Sequence, residues 1–413
     1  MRLNPFKALR PEPALASKVA AVPYDVVSRD EAARLAAGNP HSFLHVGRSD
    51  IDLPPDTDPH DDRVYAAARS ALERLVAEKT LLREPEPSLY IYRQEMNGRV
   101  QTGVVGCVHI DDYERDVIRK HEKTRKDKED DRTRHVLTLD ANAEPVFLTY
   151  RGSDDVDRLV ERVVQTTPLY DFTAEDGVRH TVWRVADTRP LSDAFGTVPV
   201  AYVADGHHRS ASAWRAGREK RALNPKHFGN EEYNWFLAVL FPAGQLAILP
   251  YNRLVKDLAG QTPAQVLDRL RALGQVTVTR KPVPPRAGTF CVYLDHQWYL
   301  VELDPATIAQ ADPIGSLDVS LLHDRILGPI LGIGDPRTDQ RVDFVGGIRG
   351  TAELERRVDS GEMALAVSMF PTTLDQLMRV ADAGEVMPPK STWFEPKLRS
   401  GLFVHTLDSP ETA

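Results

Sequence analysis

The stretch Val198-Pro199-Val200-Ala201-Tyr202-Val203-Ala204-Asp205-Gly206-His207-His208-Arg209-Ser210 decides the fold class. Val198 to Val203 is a short apolar run that reads as a strand. Ser210 to Ala216 reads as a helix, which Gly217 is expected to end. Between them lies a strand-to-helix junction. A glycine there lets the backbone turn tightly and approach a ligand. The unpaired amides of the following helix then face whatever lies in front of them, and a phosphate suits them best. Arg209 adds bidentate donors, while His207 and His208 can donate to phosphate oxygens or move protons. Asp205 can hold Mg2+ or orient a histidine. The plainer alternative is a turn at Asp205-Gly206 with both histidines satisfied by carbonyls. No third ligand follows at zinc-motif spacing, so a zinc site is not expected here.

Working outward, strands and helices interleave on both sides. Ser28 caps a helix over residues 29–37, with Glu31 completing a capping box. Gly38-Asn39-Pro40 stops that helix, and Ser42 to Val46 reads as a strand. Residues 61–80 form an amphipathic helix with Val64, Ala68, Ala71, Leu72 and Leu75 on one side. Leu89 to Arg93 and Val100 to Ile110 pair as a hairpin through Asn97-Gly98. Further strands are expected at residues 145–150, 181–185, 234–241, 246–251, 290–294, 298–303 and 363–369. Those at 234–241 and 246–251 form a plausible hairpin through Pro242-Ala243-Gly244. Helices are expected at residues 154–164, 262–273, 317–326, 352–359 and 373–381. The pattern predicts an α/β or α+β protein with mixed sheets. An N-terminal α/β region of residues 1–230 contains the junction, and a mixed α/β region of residues 231–413 completes the site.

A chain of 413 residues exceeds one hydrophobic core, and 42% apolar with 27% charged residues is ordinary for a globular protein. The formal net charge of -8 argues against wrapping nucleic acid. Cys107 and Cys291 both lie in apolar runs and read as buried reduced thiols. Neither a signal peptide nor a membrane span is indicated, so the cytoplasm is the default compartment. A homo-oligomer is compatible with all of this.

Three other segments could carry chemistry. Asp111 to Arg134 holds nine acidic and nine basic residues, a balance normal for a solvated helix laced by ion pairs. Within it, Arg119, Glu122 and Lys123 would share one helical face. Two cations beside a carboxylate fit a phosphorylated ligand, or a general base held next to cations. Asp25, in the turn Pro23-Tyr24-Asp25, is a possible base or metal ligand. In Met387-Pro388-Pro389-Lys390-Ser391-Thr392, Lys390 and two hydroxyls could bind phosphate, although the glycines of a P-loop are missing.

These same segments carry a resemblance. Pro23-Tyr24-Asp25-Val26-Val27-Ser28, Asn39-Pro40, Ser42-Phe43-Leu44-His45-Val46, Arg119 with His121-Glu122-Lys123-Thr124, Ala204-Asp205-Gly206-His207-His208-Arg209 and Met387-Pro388-Pro389-Lys390-Ser391-Thr392 resemble a large bacterial and archaeal family of unassigned function, described as ParB-like. The resemblance runs over nearly the whole chain. More loosely, the strand, Asp-Gly-His-His-Arg and helix order is similar to the nucleotide-phosphate motif of the ParB and sulfiredoxin superfamily. That superfamily includes the ADP-dependent free-serine kinases, which phosphorylate L-serine. The resemblance implies that Gly206, His207, His208 and Arg209 cradle phosphates, with Asp205 beside the transferring group. It points to no counterpart for the kinases' catalytic glutamate, and Glu122 and Asp25 stand as candidates on local chemistry alone. A helix-turn-helix of the ParB kind is not visible.

The expected function is therefore phosphoryl transfer or nucleotide hydrolysis with ADP or ATP and Mg2+, acting on a small hydroxylated metabolite such as L-serine. The candidate catalytic residues are Asp205, His208, Glu122 and Asp25. Nucleotide contacts fall to Gly206, His207, Arg209, Arg119, Lys123 and Lys390, and the metal to Asp205. A non-catalytic nucleotide-binding module is the alternative, and a chromosome-partitioning DNA-binding protein a more distant one.

Overall fold

The computed structural model describes residues 1–308, 312–336 and 338–407, and it is a mixed α/β protein. The chain divides into two compact units. The first is Met1–Leu246 together with the stretch from Pro396 onward, and the second is Ala247–Glu395.

Among the described residues, the first unit is built on a nine-stranded sheet. Its strands are β1 (Leu3–Asn4), β2 (Tyr90–Met96), β3 (Arg99–His109), β4 (Ile118–Arg119), β5 (Val146–Tyr150), β6 (Tyr170–Thr173), β7 (Arg179–Arg184), β8 (Ala201–Asp205) and β9 (Trp235–Pro242). They lie in the order β4-β8-β5-β9-β3-β2-β7-β6, with β1 also on β3. β8 runs parallel to β4 and antiparallel to β5, and β5 runs parallel to β9. Two helices matter for the site: Lys126–Leu139, which follows β4, and His207–Leu223, which follows β8. Val146, Leu148, Val203, Phe236, Ala238 and Leu240 of the sheet pack with Ala211 and Ala213 of the second helix in one core. Each large apolar side chain buried there stabilises the unit by roughly 1.5–3 kcal/mol. A second cluster gathers Ala32, Phe43, Leu44, Ala68, Leu72 and Leu75 with Val404, close to the end of the described chain.

The second unit carries a six-stranded antiparallel sheet among its described residues. Its strands are β10 (Tyr251–Val255), β11 (Gly274–Val278), β12 (Thr289–Leu294), β13 (Gln297–Leu303), β14 (Val342–Gly346) and β15 (Leu365–Met369), in the order β11-β13-β12-β15-β10-β14.

Local signals set many elements as expected. Ser28 and Glu31 make the predicted capping box of Arg29–Ala36. The turn at Asn97-Gly98 has φ of 51° and 75°, the mirror-image conformation that lets β2 and β3 pair as a tight hairpin. Helix Asp62–Ala77 buries Ala68, Ala71, Leu72 and Leu75, as its periodicity requires.

Other expectations fail for identifiable reasons. Residues 42–46 are not a strand: Leu44–Gly47 is one helical turn, and the Leu44 amide donates to Ser42 Oγ at 3.3 Å. A five-residue apolar run carries too little periodicity to separate the two states. The hairpin at 234–251 does not form. β9 is buried from Phe236 to Pro242 and lies between β3 and β5, as a strand apolar on both faces must. Ile248–Leu249 pairs instead with Trp393–Phe394. Helix His207–Leu223 runs through Gly217. A Cβ at that position would collide with the Tyr233 carbonyl, so this glycine serves close packing and does not end the helix. Residues 318–331 form three short turns, Asp318–Leu322, His323–Leu327 and Gly328–Leu331, the middle one a π-helix. The charge run 111–134 is broken into Ile110–Glu114, β4 and the start of Lys126–Leu139. Arg119 is on a strand, while Glu122 and Lys123 are in the loop after it, so these three share no helical face.

No helix among the described residues is long and apolar enough to cross a membrane. Both cysteines are free and buried.

Candidate functional site

The sheet order explains why chemistry collects where β8 ends. Parallel pairing with β4 aligns Tyr202 with Arg119, so residues just past β4 emerge beside residues just past β8. Antiparallel pairing with β5 aligns Asp205 with Phe147, which brings Glu144-Pro145 to the same edge. Three separate segments therefore converge on the junction.

At the junction Gly206 has φ of +90°, a conformation that costs a residue with a side chain. Its amide donates to Asp205 Oδ1 at 2.7 Å. The helix begins at His207, and no side chain caps its first turn. The first amides of a 17-residue helix thus carry the positive end of its dipole with no capping acceptor.

Arg209 is only 8% exposed and is held by its own surroundings. Nη1 donates to the Pro145 carbonyl at 2.7 Å. Nη2 lies 3.6 Å from Asp25 and 3.9 Å from Asp205. Burial opposes the charged guanidinium, but Asp25, Asp205 and Glu144 together raise its pKa above the usual value. The Lys397 ammonium sits 2.9 Å from Asp205 Oδ2. Burial alone would push Asp205 up, yet Lys397, Arg209 and the Gly206 amide hold it well below the ordinary carboxylate range. Glu144 moves the other way: burial raises it and Asp25 adds to this, against the opposing pull of Arg209 and Arg132. Ser400 Oγ donates to Glu144 at 2.9 Å and the Tyr24 amide at 3.4 Å. Behind Arg209 lies a cavity of about 30 Å³, lined among others by Arg132, Asn142, Glu144, Ser212 and Phe236. That is room for a water or two, not for a nucleotide.

The histidines divide by environment. His207 is 6% exposed and its ring meets that of His121 edge to face, with centroids 4.5 Å apart. Burial depresses His207 to about 4 and, with His207 as its neighbour, holds His121 well below the usual imidazole value. His208 is half-buried, and its Nε2 accepts from the Arg125 amide at 3.1 Å. Burial lowers it as well, against the nearby charges of Glu122 and Asp25.

Of the residues singled out from sequence, Asp25, Asp205, Gly206 and Arg209 are brought together, and His207 and Glu122 meet on the β4 side of the junction. Lys123 is exposed in the loop after β4, and Arg119 is a partner of Tyr202 inside the sheet. Lys390 belongs to the second unit, where its ammonium stands 5.4 Å from the centre of the Tyr251 ring and its carbonyl accepts from Arg253. Two members of the site, Lys397 and Glu144, escaped sequence reasoning, and a third, Arg132, was legible only as an extension of the charged cluster around Arg119. Lys397 follows Phe394-Glu395-Pro396 with no surrounding motif. Glu144 is a lone carboxylate ahead of an apolar strand, a signal that could have been weighed. Arg132 lay within the charge run, yet it is largely buried against Asp131 at 2.8 Å and over the Tyr24 ring at 4.2 Å.

A family model described as "Protein of unknown function (DUF1015)" matches residues 3–320. Among solved structures, a free serine kinase in complex with AMP is 12% identical, over 72% of this chain and 91% of that one, with a TM-score of 0.35. A conserved hypothetical protein from Pyrococcus furiosus is 13% identical, over 73% and 95%, with a TM-score of 0.36. SbnI with a C-terminal truncation, from Staphylococcus aureus, is 12% identical, over 73% and 87%, with a TM-score of 0.39. No curated protein matches the sequence.

Proposed function

The chain belongs to the family described as "Protein of unknown function (DUF1015)", and because that description names no activity, we propose a function from the site itself: phosphoryl transfer from ADP or ATP to a small hydroxylated metabolite of the L-serine kind. One observation carries the reading. An uncapped helix N-terminus, entered through a left-handed glycine, is flanked by Arg209 and Lys397 and stands beside the partly open carboxylate of Asp25. The similarity of Asp205-Gly206-His207-His208-Arg209 to the nucleotide-phosphate motif of the ParB and sulfiredoxin superfamily supports it.

In this reading the amides of His207, His208 and Arg209 hold phosphate oxygens, helped by the helix dipole, which is worth about 0.3–1 kcal/mol at an exposed terminus. Arg209 and Lys397 supply positive charge, already fixed in place by Asp205. Asp25, 38% exposed on its side chain, is the base that takes the proton from the acceptor hydroxyl. His208 orients the loop after β4 through the Arg125 amide. Mg2+ arriving with the nucleotide would neutralise charge on the phosphates. Asp205 suits that ion poorly, because its oxygens already accept from Gly206 and Lys397 and two cations stand next to it.

A binding-only module is favoured by one feature, the commitment of Asp205 to internal partners, which leaves Asp25 as the accessible acid. Calorimetry with ADP and ATP plus Mg2+, beside a coupled assay over L-serine and related hydroxy compounds, separates the two. Asp25→Asn is expected to keep nucleotide affinity and lose turnover by on the order of 100-fold or more. Arg209→Ala, once shown to fold, is expected to weaken affinity. Wild-type protein that binds neither nucleotide would end the phosphoryl-transfer reading.

A further inference from the structure

Beside the junction is a cluster of side chains to which the phosphoryl-transfer reading gives no part. The strand pairing that sets β4 against β8 places His121 and Glu122 next to His207, and one donor atom from each of the three lies within 4.8 Å of the others. Both histidines are buried, at 1% and 6% exposure. Neither ring nitrogen of His121 has a hydrogen-bond partner among the described residues, nor does Nε2 of His207. The Val203 backbone acts on the His121 ring but falls short of hydrogen-bond geometry.

Leaving a buried polar atom unpaired forfeits its hydration with nothing in return. A hydrogen bond between the two imidazoles would satisfy one nitrogen of each ring and leave the second nitrogen of His121 unpaired. A cation satisfies a lone pair from each group at once. We propose that His121, Glu122 and His207 form a binding site for a borderline divalent transition metal, with Zn2+ as the reference ion. Two imidazole nitrogens and one carboxylate oxygen are a donor set suited to zinc and its neighbours, whereas Mg2+ and Ca2+ prefer oxygen throughout. Ligand bonds of about 2.0–2.2 Å require the three donor atoms to draw closer together, and Glu122 lies exposed on the loop after β4. Three protein ligands leave a fourth position for water or substrate, the pattern of catalytic rather than structural zinc. The absence of a third ligand at sequence spacing is thus made good by strand pairing.

The site stands whether or not the protein transfers phosphate. Its test uses tag-free, full-length protein stripped with a chelator, titrated with Zn2+ against a chromophoric competitor, and separately with Co2+ while visible absorption is recorded. The expected result is one equivalent of Zn2+ per chain, with tetrahedral Co2+ bands of matching stoichiometry. His121→Gln and His207→Gln should each weaken binding by on the order of 100-fold, and Glu122→Gln by about 10-fold. Wild-type protein that takes up no stoichiometric Zn2+ overturns the proposal, and that measurement needs no variant to fold. Uptake that survives in the His121→Gln/His207→Gln double variant overturns it equally.

Discussion

The ammonium of Lys397 lies 2.9 Å from the carboxylate of Asp205, although 192 residues separate them in sequence. This contact ties the last part of the described chain to the junction where β8 becomes a helix. Only 14% of the lysine side chain and 26% of the aspartate side chain are exposed, so water screens the pair weakly. Lys397→Met would leave Asp205 with its Gly206 amide and the more distant Arg209. Equilibrium unfolding in urea should show a loss on the order of 3 kcal/mol, with Lys397→Arg recovering part of it. A midpoint unchanged in Lys397→Met would mean that the pair contributes nothing to folding.

Gly206 offers a second test. Its φ of +90° is outside the range an alanine adopts readily, and an added Cβ would sit 3.2 Å from Arg209 Nε. Gly206→Ala should destabilise the first unit by about 1–2 kcal/mol, the usual cost of an unsuitable backbone conformation. If the protein works as proposed, nucleotide binding should weaken too, since the guanidinium must move. Wild-type stability in this variant would show that the junction tolerates another backbone geometry.

The second unit carries its own pH signature. Asp318 is 7% exposed, Oδ1 accepts from the Gly288 amide at 2.8 Å, and Oδ2 has no partner among the described residues. Burial pushes its carboxyl up to about 6 from 3.8, with the Gly288 amide pulling weakly the other way. The folded value exceeds the unfolded one, so the neutral form favours the fold. The stabilisation is complete below pH 3.8 and is lost as pH rises through about 6. Asp318→Asn removes this dependence, and denaturation of this unit should show a gain at pH 7.5 of up to about 3 kcal/mol that shrinks toward pH 4. An equal effect of the substitution at both pH values would contradict the assignment.

Cys107 and Cys291 should be poor nucleophiles in the native protein. Burial raises both thiols, Cys291 to about 11 and Cys107 well above its ordinary value. A thiol reagent at pH 8 should react slowly with folded protein and reveal both free groups on denaturation. Fast labelling of folded protein would place at least one of them nearer the surface.

The sequence by itself determined the parts whose causes are local. Asp205-Gly206 announced a turn that only a glycine makes easily, Ser28 with Glu31 announced a helix start, and Asn97-Gly98 announced a hairpin; all three follow from steric limits and hydrogen bonds within a few residues. It also pointed to Asp205, Gly206 and Arg209 as neighbours, because strand, turn and helix place them within one pitch. Gly217 misled because a glycine in a helix has two causes, and the close approach of the Tyr233 carbonyl is invisible from its own neighbours. Tertiary structure alone decided that β8 pairs with β4, which sets His121 against His207, that Glu144 and Asp25 face Arg209, and that Lys397 meets Asp205. Which strands pair across a hundred residues is settled by how much apolar surface the whole sheet can bury, a sum over the entire chain that no short stretch contains.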